Sequence, residues 1–403
     1  MLSRMILRGS QGASKSQLAE EIEGMGARIS TDIDREITNF NVTCFKGDVS
    51  RAVSLLGDAI SSATLDSAEL EIAKQEQAQS NDAFNKNQEG TTLEACHYNA
   101  FRDHMMGQPV RGDPDNLQNI NADMLQAYRA ANYAGDKIVI VGTGGVDHDA
   151  FVEQVNAAFG SIQQTGAIEA PNGDKCVYVP ALLMMRDDEM YNANVGVFYD
   201  APSVNHEDYY SFQLLKYMIG DYDIQKNAEH LNDTAKQYNA THQLLGELVD
   251  VTRQRANYFA YSDCGLWGSY LFGNEIFVRQ MNWVGLAAPT FYSDYVTEVE
   301  VVRARNALWN DLMREKNPEE QNTEIGRQLL QVGRRVTRSE IAKRVSHADA
   351  DFIQKLCYQW FYDSEPSFTN WGPIQDTSSI GSYKYFKINT MTTVSNTHHS
   401  LFT

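Results

Sequence analysis

The 403-residue sequence predicts an α+β fold in two homologous domains, each a mainly antiparallel sheet packed with helices. Two echoes carry the duplication and a third observation carries the class. Residues 122–133, Ala-Asp-Met-Leu-Gln-Ala-Tyr-Arg-Ala-Ala-Asn-Tyr, lie over residues 350–361, Ala-Asp-Phe-Ile-Gln-Lys-Leu-Cys-Tyr-Gln-Trp-Phe, without a gap, at an offset of 228 (350 − 122). Residues 69–74, Glu-Leu-Glu-Ile-Ala-Lys, match residues 298–303, Glu-Val-Glu-Val-Val-Arg, at 229 (298 − 69). Echoes in register are the mark of a duplicated unit. Alternating strands grouped before helical stretches then place helices on one face of an antiparallel sheet. The length also exceeds one compact core and suits two domains.

The elements follow in order. Ser14 caps a helix over residues 14–25, with Leu18, Ile22 and Met25 on one face. Residues 51–60 repeat that spacing, and residues 65–81 form a longer helix rich in Ala and Gln, both good helix formers. Residues 37–45 alternate polar and apolar as a half-buried antiparallel strand does, and residues 195–199 and 257–262 read the same way. After each echoed helix comes a strand and a glycine turn, at residues 137–146 and 366–374, with Ile138-Val-Ile-Val141 as a buried strand. Gln163-Gln-Thr-Gly-Ala and Ala170-Pro-Asn-Gly-Asp-Lys175 are polar, carry Gly and Pro and lack apolar period, so they read as a linker. The expected domains are residues 1–165 and 181–403, joined by residues 166–180, with a polar tail after Lys387.

Composition narrows the function. The net charge is −19, from 53 acidic against 34 basic residues. Such a surface repels phosphate backbones and anionic lipid headgroups, which argues against nucleic acid and peripheral membrane binding. No apolar run approaches the roughly 18 residues needed to span a bilayer, so membrane association has to come through partners. Cys44, Cys96, Cys176, Cys264 and Cys357 are scattered, with no C-x-x-C pair. They suggest neither a zinc ribbon nor a disulfide framework, but small buried hydrophobes in a reducing compartment.

Catalytic patterns are missing. Nine histidines are present, yet neither H-x-x-E-H nor H-E-x-x-H occurs, so no helix offers two imidazoles and a carboxylate on one face. His97 and His104, seven apart, read as a capped or half-exposed pair on one helix side rather than as a metal site. There is no G-x-S-x-G elbow. The turn Gly142-Thr-Gly-Gly145 lacks the Lys-Ser/Thr of a phosphate loop and reads as the end of a strand. The residues alone describe a duplicated α+β protein without a catalytic signature.

Several segments resemble the pitrilysin-type metallopeptidases, in the mitochondrial branch that holds core subunits of respiratory complex III and processing-peptidase subunits. Asp221-Tyr-Asp223, Ser262-Asp-Cys-Gly-Leu-Trp-Gly268, Ile325-Gly-Arg-Gln-Leu-Leu-Gln-Val-Gly-Arg-Arg335, Phe361-Tyr-Asp363 and Gly372-Pro-Ile374 resemble the family's second-domain motifs. Gly24-Met-Gly-Ala27, Arg35-Glu36 and Gly144-Gly-Val146 fit in the first half. The likeness runs from about Met1 to Tyr385. Active members carry H-x-x-E-H directly before a Met-x-x-[KR]-[GS]-[ST] step, which Met5-Ile-Leu-Arg-Gly-Ser10 resembles. That resemblance puts the motif's glutamate at Ser3 and its second histidine at Arg4, and its first histidine before Met1. The distant glutamate ligand falls at Ser80 or Asn81. The family's first strands are expected upstream of Met1. Residues 1–17 also have the Arg- and Ser-containing, acid-free look of a transit peptide, but the aligned helix is the preferred reading.

Catalytic zinc needs three protein ligands and a glutamate base. The replaced positions therefore imply no catalytic residue, no metal and no cofactor. The resemblance further implies a structural, proteolytically inactive core subunit of complex III on the matrix side of the mitochondrial inner membrane. Its implied partners are a core protein 2-like subunit and the cytochrome b, cytochrome c1 and iron–sulfur subunits, within the dimeric complex and its respiratory supercomplexes. The alternative is a non-catalytic, presequence-binding subunit of a mitochondrial processing peptidase. The acidic surface suits Arg-rich presequences, whereas Ser30-Thr-Asp32 departs from the edge strand of active β subunits.

Overall fold

A computed structural model describes residues 1–163, 175–224, 241, 245, 248 and 250–375. In chain order it contains α1 (Leu2–Ile6), α2 (Lys15–Gly24), β1 (Arg28–Ile33), β2 (Thr38–Thr43), α3 (Val49–Ser62), α4 (Ser67–Asn85), α5 (Gln88–Phe101), α6 (Ala122–Asn132) and α7 (His148–Phe159). There follow β3 (Leu182–Arg186), β4 (Asn192–Ala201), α8 (Tyr209–Ile219), β5 (Asp221–Asp223), β6 (Val251–Ala260), β7 (Gly265–Asn274), α9 (Val278–Phe291), α10 (Glu298–Met313), α11 (Pro318–Val332), α12 (Arg338–Ser346), α13 (Ala350–Phe361) and β8 (Ser367–Gly372). The polar tail after Lys387 and most of the expected linker lie outside the described residues.

The repeat is visible in the elements. Helix α3 matches α9 at 229 (278 − 49), α6 matches α13 at 228 (350 − 122), and α5 matches α11 at 230 (318 − 88). The described residues form two compact units. The first draws on Met1–Phe84, Pro109–Asp174 and Glu315–Arg335, the second on Asn85–Gln108, Lys175–Arg314 and Val336–Thr403. Each unit therefore holds one of the equivalent helices α5 and α11, taken from the opposite half of the repeat.

The second unit is built on a six-stranded sheet of order β3-β8-β4-β7-β6-β5, antiparallel except for the β3–β8 pair. Helix α9 packs on one face of β4 and α5 on the other. A Cβ at Gly285 of α9 would meet Val197 at 2.7 Å, and one at Gly196 of β4 would meet Cys96 Sγ of α5 at 2.3 Å. Val195, Val197, Phe198 and Tyr199 consequently have no exposed surface. The half-buried expectation for residues 195–199 is corrected: a central strand covered on both faces buries both of its side-chain rows. Asn99 of α5 ties the layers together by donating to the Ala181 and Phe368 carbonyls at 3.1 and 2.9 Å.

In the first unit α1, α3, α4 and α6 enclose a core of Leu2, Met5, Ile6, Ile60, Leu70 and Leu125. Ser14 caps α2 with a reciprocal Gln17 bond, and Leu18 and Met25 pack on Leu55 as their spacing predicts. Strands β1 and β2 form an antiparallel hairpin, on which α11 lies. Polar pairs fasten that helix: Arg327 meets Asp34 at 2.7 Å, Gln331 donates to Glu36 at 2.7 Å, and Asn39 and Asn41 donate to Thr323.

Ile138–Val141 is not the buried strand its composition predicts. It is half-buried and has no strand pairing among the described residues. Pairing is non-local, and β8, its counterpart at 229 (367 − 138), is held by β3 and β4.

Candidate functional site

Helix α1 brings the first candidate residues onto α4. Its five residues are too few to be stable alone, and Leu2, Met5 and Ile6 anchor it in the apolar core. That leaves Arg4 facing α4, where its Nε donates to Gln77 Oε1 at 2.6 Å. Gln77 lies one turn before Asn81, so both share a helix face. Its Nε2 donates to Asn81 Oδ1 at 2.8 Å and to the Arg111 carbonyl at 3.4 Å. Gln77 and Asn81 are buried, as is Ser3. Ser80 points elsewhere and accepts from Arg111 at 3.0 Å. Of the two positions expected for the distant ligand, Asn81 joins Arg4 through Gln77 and Ser80 does not.

The neighbouring cations are paired with carboxylates. Lys74, with a side chain 8% exposed, reaches Glu71 at 2.8 Å and the Gln118 carbonyl at 3.3 Å. Arg8 of the Met5-x-x-Arg-Gly-Ser step meets Glu69 at 2.8 Å and also pairs with Glu76, and Lys15 reaches the same Glu69 at 3.2 Å. Hydrogen bonds from Arg8 hold both carboxyls below the ordinary glutamate range. Gly9, at φ +148, turns the chain so that Ser10 Oγ pairs with Asp58 and accepts from Ala13 N at 3.1 Å. Above this turn lies an open cavity of about 650 Å³ lined by Arg8, Ser10, Ser14, Lys15, Asp66 and Glu69 among others.

This donor set does not suit zinc. Amides and a hydroxyl are poor ligands for Zn²⁺, and a permanently charged guanidinium repels it. Among the described residues no three His, Cys, Asp or Glu side chains lie together as a metal ion requires. Gln77 is the partner that sequence reasoning missed; its i, i+4 spacing from Asn81 puts it on that helix face but does not name it as the partner of Arg4.

The other candidates are structural. His97 is buried, with Nδ1 at 2.7 Å from the Leu93 carbonyl and Nε2 at 2.8 Å from Tyr261 Oη. The expected shared helix side is corrected, because α5 ends at Phe101 and His104 caps the following turn by accepting from Met106 N. Cys96, Cys176, Cys264 and Cys357 are buried and Cys44 is half-buried. Burial pushes the Cys96 thiol up to about 12, which removes it as a nucleophile near neutral pH. No helix among the described residues is long and apolar enough to cross a membrane.

Comparison with known proteins agrees with this architecture. The family description "Insulinase (Peptidase family M16)" matches residues 1–114, and "Peptidase M16 inactive domain" matches residues 119–275. The chain belongs to the M16 peptidase family, with the pitrilysin-type fold that its two α+β halves describe. It is 29% identical over 381 residues to the mitochondrial-processing peptidase subunit beta of Bos taurus, covering 93% of this chain and 76% of that protein. It is 26% identical over 386 residues to the cytochrome b-c1 complex subunit 1, mitochondrial, of Homo sapiens, covering 93% and 77%. A chain of the structure "Complex III2 from Candida albicans, Inz-5 bound" superposes with a TM-score of 0.79 at 18% identity, over 90% of this chain and 86% of that one. This last likeness concerns the fold.

Proposed function

We propose that this protein is a proteolytically inactive M16 subunit that serves in assembly and support of ubiquinol–cytochrome c reductase, on the matrix side of the mitochondrial inner membrane. The observation that carries the inactive half of this reading is the Arg4–Gln77–Asn81 chain of hydrogen bonds. We assign Ser3 and Arg4 to the positions of the family's catalytic glutamate and second histidine, and Asn81 to its distant glutamate. A carboxylate base and an imidazole are thereby replaced by a hydroxyl and a fixed cation. Residues 1–165 and 181–403 are the two homologous domains in this assignment. Likeness to a cytochrome b-c1 complex subunit supports the structural role. The partners follow from it: a second M16 subunit of the core protein 2 kind and the cytochrome b, cytochrome c1 and iron–sulfur chains.

A second reading has its own support. Likeness to a processing-peptidase β subunit over 93% of the chain and the acidic surface favour a non-catalytic, presequence-binding subunit.

The inactive site is tested by metal and by mutation together. Equilibrium dialysis against zinc is expected to leave no stoichiometric metal on the protein, and Arg4→His to leave presequence cleavage absent. One tightly held zinc per chain, or cleavage restored by Arg4→His alone, would overturn the assignment.

A further inference from the structure

Two cysteines that lie far apart in the chain meet in the second unit. Cys176 stands just ahead of β3, and Cys264 stands in the turn between β6 and β7. Both are free thiols, 5% and 7% exposed. The Cys264 thiol hydrogen-bonds to Cys176 and to the Asp263 carboxylate. That carboxylate also accepts from the Cys176 backbone N–H at 3.2 Å, so one side chain holds both cysteines.

The segments that carry them are pinned. Tyr261 N donates to the Cys264 carbonyl at 2.9 Å and closes a turn of two residues, Ser262 and Asp263. On the other side, Val179 N donates to the Ala100 carbonyl at 2.8 Å, and Tyr178 Oη lies 3.0 Å from the Phe198 and Glu365 carbonyls. Sulfurs already in contact need only side-chain rotation to reach bonding distance. Lys175, Val177, Ser262 and Asp263 beside them are exposed. The pair therefore lies under one layer of surface residues, within reach of a small oxidant but not of a bulky one such as oxidised glutathione. Cys96 and Cys357 are more deeply buried, and Cys44 lies alone in the first unit.

We propose that Cys176 and Cys264 form a modification site for hydroperoxides, at which oxidation closes a disulfide that locks the second unit. Cys264 keeps its proton, because its bond to Cys176, its burial and the Asp263 charge push its thiol above the ordinary range. Cys176 is thus the sulfur that attacks, as a thiolate. It takes one peroxide oxygen and becomes a sulfenic acid, while the other oxygen leaves as hydroxide and takes up the Cys176 proton as water. The Cys264 sulfur then displaces the sulfenic hydroxyl, which leaves with the Cys264 proton as a second water. Two thiols lose two electrons in all, and one hydrogen peroxide gains them. The closed loop spans 88 residues (264 − 176) and holds β3, β4, α8, β5 and β6. Closing so long a loop removes entropy from the unfolded chain and stabilises the unit.

The test treats the full chain with hydrogen peroxide, alkylates the remaining thiols in urea and maps a digest by mass spectrometry without reduction. Cys176 and Cys264 are expected in one linked peptide pair that dithiothreitol separates, with Cys96 and Cys357 recovered alkylated. All five tryptophans, Trp267, Trp283, Trp309, Trp360 and Trp371, lie in the second unit, so their fluorescence reports its unfolding. The urea midpoint of the oxidised chain should rise by about 1 M, and peroxide should leave that of Cys176→Ala unchanged. Alkylation of both cysteines after peroxide, links scattered among the other cysteines, a linked pair without a raised midpoint, or an equal rise in Cys176→Ala would overturn the proposal.

Discussion

Arg8 joins α1 to α4 through Glu69 and Glu76, and its guanidinium keeps both carboxyls ionised below the ordinary glutamate range. A carboxyl whose pKa is lowered on folding contributes stability above its unfolded value, about 4.3 for glutamate, and loses that contribution as pH falls through the lowered value. Arg8→Met should therefore lower the urea midpoint near neutral pH, and the gap from the wild type should narrow as pH falls below the ordinary glutamate range. A gap that persists unchanged in acid would mean that Arg8 acts through packing alone. At this scale the sequence was only partly legible. Arg4 and Asn81 followed from a motif alignment, but spacing says nothing about which α4 residue meets a helix 70 positions away. Gln77 therefore came from the structure, which joins it to Arg4 across |i−j| = 73.

Among the elements, α5 on the sheet of the second unit depends on Gly196, where an added Cβ would lie 2.3 Å from Cys96 Sγ. Overpacking of this kind costs about 1–3 kcal/mol, so Gly196→Ala should lower unfolding stability by that amount. Removing the opposing sulfur with Cys96→Ala should recover part of the loss, as expected for two residues in contact. Strict additivity of the two changes in denaturant titrations would contradict the packing of α5 on β4. Elements set by local chemistry were legible: Ser14 and Gln17 form a capping box, and Asn121 and Asp349 cap the two echoed helices at equivalent positions. Ile138–Val141 was not, because four β-branched residues declare a strand while its pairing depends on residues far away. Likewise, alternation in residues 195–199 could not reveal that helices cover both faces.

For the molecule as a whole, the duplication and the α+β class stood in the sequence because two segments repeat at nearly one offset. The placement of α5 and α11 in units built mainly from the opposite half did not, since neither segment's periodicity names the sheet it covers. Likeness to an M16 processing-peptidase subunit and to a cytochrome b-c1 subunit leaves two roles for one fold, and function has to be read from site and assembly. The proposed assignment of Arg4 and Asn81 to replaced zinc-site positions favours the assembly role, in which redox chemistry would belong to other chains. The decisive measurement is a reduced-minus-oxidised absorption spectrum of the tagged protein purified in mild detergent. Bands of b- and c-type haem at a fixed ratio to the tagged chain are expected. A haem-free eluate holding this chain and one further M16 subunit would contradict the complex III role and favour the processing-peptidase reading.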